Sequence, residues 1–379
     1  MYLALYRKYR PQTFDEVIGQ NHIVTTLKNQ IKMDKISHAY LFTGSRGTGK
    51  TSTAKIFARA INCENNVNGS PCGKCETCKA LCGNNIDVLE IDAASNNGVD
   101  EVRDLREKVK YPPVVGKYKV YIIDEVHMLT GAAFNALLKT LEEPPQNVVF
   151  ILATTEVHKL PATILSRCLR FDFKLVSVDE LSSLLAKVLN EEQIKFESEA
   201  INIIARAAEG SVRDMLSIAD RCVSFAGDNL TYSKVVEILG VSEKEELISI
   251  TNLLLSKNTG ETLVELDKIL ASGKNPLVFA NNLVSYLRDL LILYTMGDKA
   301  KNIIMAKSDE YEKMKLQATK ENYDEIVSAV EILSEIEQDL RYSNLPKMVL
   351  EAATIKIINE NSLLKRVEKL EEIVNKFPR

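Results

Sequence analysis

The sequence predicts an α/β domain built on a parallel sheet, followed by two all-α domains. Three observations carry this expectation. Short apolar runs at 39–43, 88–92, 119–124, 148–153 and 169–173 alternate with stretches of helical periodicity, the pattern of strands buried on both faces. A glycine-rich run joins the first of these strands to a helix. After about Leu175 the strand-like runs stop, and helical patterns continue to Arg379.

Composition sets the limits. The 379 residues suffice for two or three domains, and 45% apolar with 26% charged residues is ordinary for a soluble globular chain. There is no run of eighteen apolar residues, and Met1–Arg7 lacks a signal-peptide layout, so neither a membrane span nor export is expected. Four of the seven cysteines crowd into Cys72 to Cys82, which fits a metal site in a reducing cytoplasm better than disulfides. Residues 1–178 carry 23 basic and 18 acidic side chains, the remainder 25 and 34. A basic front on an acidic chain suits a domain facing nucleic acid, although charge alone barely favours that over solvated faces.

Residues 6–20 mix basic, aromatic and turn residues, and Asn21–Met33 reads as a helix with Ile23, Leu27 and Ile31 four apart. The strand Ala39–Thr43 then leads into Gly44-Ser45-Arg46-Gly47-Thr48-Gly49-Lys50-Thr51, a match to G-x-x-x-x-G-K-[ST], and Ser52–Asn62 continues as a helix. Strand, loop and helix in that order form the setting a phosphate-binding loop requires. Glycines let backbone N–H groups curl around a phosphate, and the helix N-terminus adds partial positive charge. Lys50 is placed to reach the β- and γ-phosphates of ATP, and the Thr51 hydroxyl to ligate Mg²⁺.

Residues 63–85, rich in Cys, Asn and Gly, read as an inserted loop held by something other than apolar packing. Cys63, Cys72, Cys75 and Cys78 offer four thiolates for a tetrahedral structural Zn²⁺, a module spanning 63–82. The run Cys72-x2-Cys75-x2-Cys78-x3-Cys82 has a ferredoxin-like spacing, but Gly83 stands where that pattern has proline. Cys82, Cys168 and Cys222 read as small buried residues.

Asp124-Glu125 ends an apolar strand, where nucleotide-binding sheets place their metal and water chemistry. Asp124 is expected to hold Mg²⁺ through water and Glu125 to act as general base on the attacking water. Thr154-Thr155 ends the next strand, where a hydroxyl could lie beside the γ-phosphate. Arg167 lies in Ser-Arg-Cys168, and Arg213 opens a helix after Gly210-Ser211; by composition alone each is more often a surface ion pair than a catalytic cation. None of His22, His38, His127 and His158 is spaced for a metal or a catalytic dyad, and no chemistry is assigned to them. The domain boundaries read as 1–178, 179–242 with four short helices, and 243–379. The last helix carries Leu363, Val367, Leu370, Val374 and Phe377 at heptad spacing, a core-facing or subunit-facing stripe.

Gly44–Thr51, Val120–Glu125, Ala153–Thr155, Ser166–Cys168 and Gly210–Asp214, in this order, resemble the AAA+ ATPase set. Leu5–Gln20, Ser37–Phe42, Asp124–Leu129, Asn135–Pro145 and Leu160–Cys168 narrow the resemblance to the γ/τ subunits of the bacterial DNA polymerase III clamp loader. These motifs cover 1–220, and the helical remainder matches only in length and pattern. The resemblance implies a RecA-like AAA+ P-loop domain with a zinc-binding insertion, a helical lid and a C-terminal helical oligomerisation collar. It implies that Arg10, Pro11, Val17 and Ile18, with Gly19, border the adenine, that Thr155 touches the γ-phosphate, and that Arg213 closes the lid on ATP. Arg167 would be an arginine finger serving a neighbouring subunit's nucleotide, and the same four cysteines would hold zinc.

The partners implied are further copies of the chain, the δ and δ′ subunits, the β sliding clamp and primed DNA gripped through its backbone phosphates. Ser95-Asn96-Asn97-Gly98 is a candidate for that grip, and it reads equally well as a helix cap. The family's longer form continues into a region contacting the replicative helicase and polymerase; no such contact is expected from these residues. Two rival readings stand beside the ATPase motor: a nucleotide-binding scaffold that does not hydrolyse, and another AAA+ DNA remodeller. The first is expected to lose the loop lysine or the acidic pair, both present here; the cysteine insertion and Ser-Arg-Cys run disfavour the second.

Overall fold

The computed structural model describes residues 3–82, 85–239, 244–302, 304 and 308–359. It divides into two compact units, Met1–Val235 and Val236–Arg379.

The first unit is organised by five parallel strands: β1 (Ala39–Thr43), β2 (Val88–Asp92), β3 (Lys119–Asp124), β4 (Val148–Thr154) and β5 (Leu169–Asp172), in the sheet order β2-β3-β4-β1-β5. Side-chain alternation along each strand separates two cores. Tyr40 and Phe42 of β1, Val120 and Ile122 of β3, and Val149 and Ile151 of β4 pack with helix α2 (Asn21–Lys32), through Ile23, Val24 and Leu27, and with helix α3 (Lys50–Asn62), through Ala54 and Phe57. Leu41, Tyr121, Ile123, Phe150 and Leu152 face the other way, against α5 (Val99–Val109) and α6 (Gly131–Glu142) through Leu105, Phe134 and Leu137. Every residue of β1 and β4 is buried, which is why these strands read as continuous apolar runs.

The register fixes the site. Thr43 of β1 pairs with Thr154 of β4, and Ile123 of β3 with Leu152, so the carboxyl ends of three adjacent strands finish side by side. Because β4 lies between β1 and β3, the residues following it fall between the glycine-rich loop and the acidic pair.

The helices completing the first unit are α1 (Leu5–Lys8), α4 (Glu76–Ala80), α7 (Ala162–Leu165), α8 (Val178–Glu191), α9 (Ser198–Ala207) and α10 (Val212–Ala226), and the division between the units falls within α11 (Tyr232–Leu239). The start of α8 is a capping box, Ser177 with Glu180, and its buried Leu181, Leu185, Val188 and Leu189 form one face. One expectation is corrected here. Strand pairing continues past Leu175: β6 (Lys195–Phe196) and β7 (Asn229–Leu230) form a two-residue parallel pair between the helices. These strands occupy segments between α8 and α9 and between α10 and α11. Two residues are too few to show an alternation.

The second unit is helical: α12 (Lys244–Leu255), α13 (Thr259–Ala271), α14 (Pro276–Met296), α15 (Ser308–Gln317), α16 (Tyr323–Glu335), α17 (Glu337–Tyr342) and a helix over 346–359. By length and composition Pro276–Ala300 could cross a membrane, with a mean hydropathy of 1.2. Its Phe279, Leu283, Leu287 and Leu290 are instead buried in the core of this unit, among Leu266, Ile269, Ile326, Leu333 and Ile357. The side chain of Gln317 is buried in the same core and donates to Ile248 O at 2.9 Å and Asn252 Oδ1 at 2.7 Å. The heptad stripe from Leu363 to Phe377 lies outside the described residues.

Candidate active site

The glycine-rich loop leaves β1 at Thr43 and enters α3 at Lys50. Gly44 has φ +139°, and a Cβ there would lie 2.4 Å from Phe173 O. Gly47 has φ +76°, and a Cβ would lie 1.9 Å from Ser211 Oγ. Both positions exclude a side chain on steric and conformational grounds. No side chain caps the N-terminus of α3, so its first-turn N–H groups are left for an anion. Thr48 Oγ1 donates to Ser45 O at 2.8 Å and steadies the turn.

Lys50 is buried, and its Nζ donates to Gly44 O at 2.7 Å and Ser45 O at 2.9 Å. Burial pushes its pKa down, while the charges of Glu125 and Asp124 oppose that shift. Thr51 Oγ1 donates to Asp124 Oδ2 at 2.7 Å, so the two expected Mg²⁺ ligands already touch. Such a pair suits an oxygen-liganded hard cation that keeps several waters.

Glu125 has φ +47° and ψ +45°, the left-handed region. For a residue with a side chain this conformation is strained and clusters at functional sites. Thr155 meets the Glu125 carboxylate twice, its N–H at 3.2 Å and its Oγ1 at 3.1 Å from Oε2. The structure thus brings Lys50, Thr51, Asp124, Glu125 and Thr155 into one constellation at the strand ends.

Arg213 follows Ser211, whose side chain caps α10 by accepting from Asp214 N at 3.2 Å. Val212 N donates to Gly47 O at 3.1 Å, so the start of α10 rests directly on the glycine-rich loop. The Arg213 guanidinium lies over the Tyr6 ring, 5.4 Å from its centroid. Arg10 Nε donates to Ser52 Oγ at 3.1 Å in the first turn of α3. Val17 is buried among the core residues, whereas Pro11 and Ile18 are half-buried.

Arg167 stands apart from this constellation. Its described partners are Thr163 O at 2.9 Å, Ser166 Oγ at 3.3 Å and Glu142 Oε1 at 2.7 Å, none of them in the loop. Ser95 and Asn96 bond back to Asp92, Ser95 Oγ to Oδ2 at 3.1 Å and Asn96 Nδ2 to the carbonyl at 3.0 Å. Gly98 occupies the cap position of α5, without a side-chain cap.

The Sγ atoms of Cys63, Cys72, Cys75 and Cys78 all lie within 4.8 Å of one another. The Cys63–Cys75 and Cys72–Cys78 separations are 4.0 and 3.9 Å. Four thiolates at a Zn–S distance of about 2.3 Å would stand about 3.8 Å apart, so the set fits a tetrahedral ion. Backbone N–H groups of Lys74 and Cys75 point at Cys72 Sγ and lower its pKa to about 6, which favours the ligating thiolate. Cys82 is outside the cluster and exposed, accepting instead from Arg59 Nη1 at 3.4 Å. This removes the fourth ligand of the ferredoxin-like spacing and corrects the expectation that Cys82 is buried. Cys168 is half-buried and Cys222 buried.

Sequence reasoning missed His127. Its buried ring places Nδ1 3.0 Å from Thr154 Oγ1 and 3.4 Å from Glu125 Oε2, and Nε2 3.4 Å from Glu156 Oε1. The ring is therefore a satisfied, buried group, and it also touches the carboxylate of Glu125. The available signal was proximity: His127 lies in the same short turn as Asp124-Glu125. The contacts of Tyr6 with Arg213 and of Ser211 with Gly47 were not readable, because the partners are distant in sequence.

This fold and this site together define a P-loop ATPase of the AAA+ class. Family models divide the chain among three descriptions: DNA polymerase III, delta subunit over residues 19–177, DNA polymerase III clamp loader subunit, ATPase lid domain over 180–228, and DNA polymerase III subunits gamma and tau domain III over 230–373. Among curated proteins, the chain is 43% identical over 394 residues to DNA polymerase III subunit tau of Bacillus subtilis, covering 99% of this chain and 69% of that one. It is 38% identical over 365 residues to DNA polymerase III subunit gamma of Buchnera aphidicola, covering 95% and 99%. With the Escherichia coli tau subunit the identity is 45% over 273 residues, 72% of this chain and 42% of that one. The chain belongs to the gamma/tau family of DNA polymerase III clamp-loader subunits.

Proposed function

We propose that this chain is the ATP-hydrolysing motor subunit of a cytoplasmic clamp loader that opens a sliding clamp and places it on primed DNA. The observation that carries this reading is the connected set Thr51–Asp124–Glu125–Thr155 beside Lys50, all within or next to hydrogen-bond reach at the ends of β1, β3 and β4. A non-hydrolysing scaffold has no need of it.

In this reading Gly44–Thr51 cradles the phosphates of ATP, and Thr51 and Asp124 hold Mg²⁺. Bound Mg²⁺ would neutralise charge developing on the transferred phosphoryl group. Glu125 takes the proton of the attacking water, and Thr155 aligns Glu125 against the γ-phosphate. Arg10, Pro11, Val17 and Ile18 border the base, and Arg213 carries the lid onto the nucleotide. Arg167, whose described partners lie outside its own loop, acts on the site of an adjacent copy. Cys63, Cys72, Cys75 and Cys78 hold a structural Zn²⁺ that replaces an apolar core for residues 63–82. The δ and δ′ subunits, further copies of the chain, the β clamp and the DNA backbone are the partners.

ATPase measurements on the chain alone, and then with δ, δ′, clamp and primed DNA, test the reading. A rise in turnover of at least about tenfold is expected, since a cation supplied in trans can contribute 10³–10⁵ in rate. Equal turnover under both conditions would sink it.

A further inference from the structure

Every described side-chain contact of Glu125 falls on Oε2: the N–H and hydroxyl of Thr155, and Nδ1 of His127. Oε1 is then the oxygen available to a water. A carboxylate with one oxygen held by two hydrogen bonds is restrained in rotation, which leaves its other oxygen with a defined direction. Thr155 supplies both of these bonds. Against the same oxygen, at 3.4 Å, rests Nδ1 of a buried imidazole anchored by Thr154 and Glu156, which do not contact Glu125.

The imidazole is anchored on two sides. Thr154 is fully buried, and its Oγ1 accepts from Glu156 N at 3.0 Å. Its hydroxyl then meets His127 Nδ1 at 3.0 Å. On the far side of the ring, Nε2 faces Glu156 Oε1 at 3.4 Å. Glu156 is itself paired with Lys159 at 2.8 Å. The ring is thus braced between the end of β4 and the loop that follows it, with Glu125 resting against its near edge. Glu125 has the left-handed backbone that directs its side chain to this spot.

We propose that His127 is a positioning residue for hydrolysis: it holds the Glu125 carboxylate in the orientation that presents Oε1 to the attacking water. The inference rests on Glu125 being the general base. Misplacement of a reacting group by about 1 Å can cost about 10²-fold in rate, so the effect should appear in turnover and leave nucleotide binding alone.

His127→Phe keeps a buried ring of similar shape and removes both nitrogens. His127→Asn returns a polar atom near the position of Nδ1. ATPase rates are read on the full chain with its clamp-loader partners, and affinity from titration of a fluorescent ATP analogue. Expected are a kcat lower by about 10- to 100-fold for His127→Phe, an affinity within about twofold of the parent, and recovery of most of the rate in His127→Asn. In a Glu125→Gln background, His127→Phe should cause no further loss, because its action passes through Glu125. Unchanged turnover in His127→Phe, a parallel fall of affinity and kcat, or a full multiplicative loss in the double variant would each overturn the proposal. Should the phenylalanine variant fail to fold, Thr154→Val removes the hydroxyl anchor at equal size; it should show the same selective fall in kcat, and wild-type turnover would count against the role of His127. Normal turnover of Glu125→Gln alone would instead remove the assignment of the base, an outcome separable from all of these.

Discussion

Lys50 hydrogen-bonds two carbonyls of its own loop. A phosphate must replace these contacts, and in doing so it satisfies a buried ammonium better than two neutral oxygens can. Lys50→Ala should weaken ATP affinity by about 100-fold or more, taking two charge-assisted hydrogen bonds at about 1.5–3 kcal/mol each; equilibrium titration with labelled nucleotide measures it, and unchanged affinity would refute the loop assignment. Glu125→Gln retains shape and the possibility of contact with Thr155 but cannot take a proton. It should bind ATP normally and turn over about 10²–10⁴-fold more slowly in single-turnover hydrolysis. Lys50, Thr51, Asp124 and Glu125 were legible in the sequence because their chemistry demands fixed residue types at fixed spacing. His127 was not, because its role depends on Thr154 arriving beside it across a strand register. The same holds for Tyr6 under Arg213, a contact between the N-terminal helix and α10.

At the scale of elements, β1 is the strand on which the site depends. Phe42 is fully buried between Phe171 and Phe173, with ring centroids at 5.8 and 5.2 Å. Phe42→Ala should destabilise the first unit by about 3–5 kcal/mol, read as a lower denaturant midpoint, and should weaken ATP binding through displacement of the loop that follows. The cysteine insertion behaves differently. With Leu81 its one large buried apolar side chain, the segment 63–82 should become sensitive to protease when a chelator removes the proposed zinc, while the sheet keeps its far-ultraviolet signal and nucleotide affinity. Persistence of the same protease resistance after complete metal removal would exclude a structural ion. The central strands β1, β3 and β4 were readable as apolar runs because they are buried on both faces, whereas the edge strands β2 and β5 are half-buried to exposed and carry charged residues. The pair β6 and β7 was hidden because its two-residue strands exist only through their mutual pairing. The cysteine geometry had to come from the folded chain, since sequence spacing favoured Cys63 but still admitted Cys82 as a rival.

At the scale of the whole molecule, the role proposed for Arg167 would set the limit of what one chain can do alone. It is tied to Glu142 and Thr163, away from its own loop. Arg167→Ala should leave ATP affinity and the turnover of the isolated chain unchanged, and reduce turnover of the assembled clamp loader by about 10³-fold; a comparable loss in the isolated chain would argue against action in trans. Within the first unit, the lid helix α10 touches the glycine-rich loop through Val212 N and Gly47 O, with Ser211 where a Gly47 Cβ would be. A shift of that peptide on taking up or releasing phosphate would be felt at the helix start through this direct contact. The far end of α10, at Ala226, sits on a lever about 22 Å long at 1.5 Å per residue, and small tilts at its pivot become visible displacements there. A fluorophore near that tip would behave as a gauge of the nucleotide's state without touching the nucleotide.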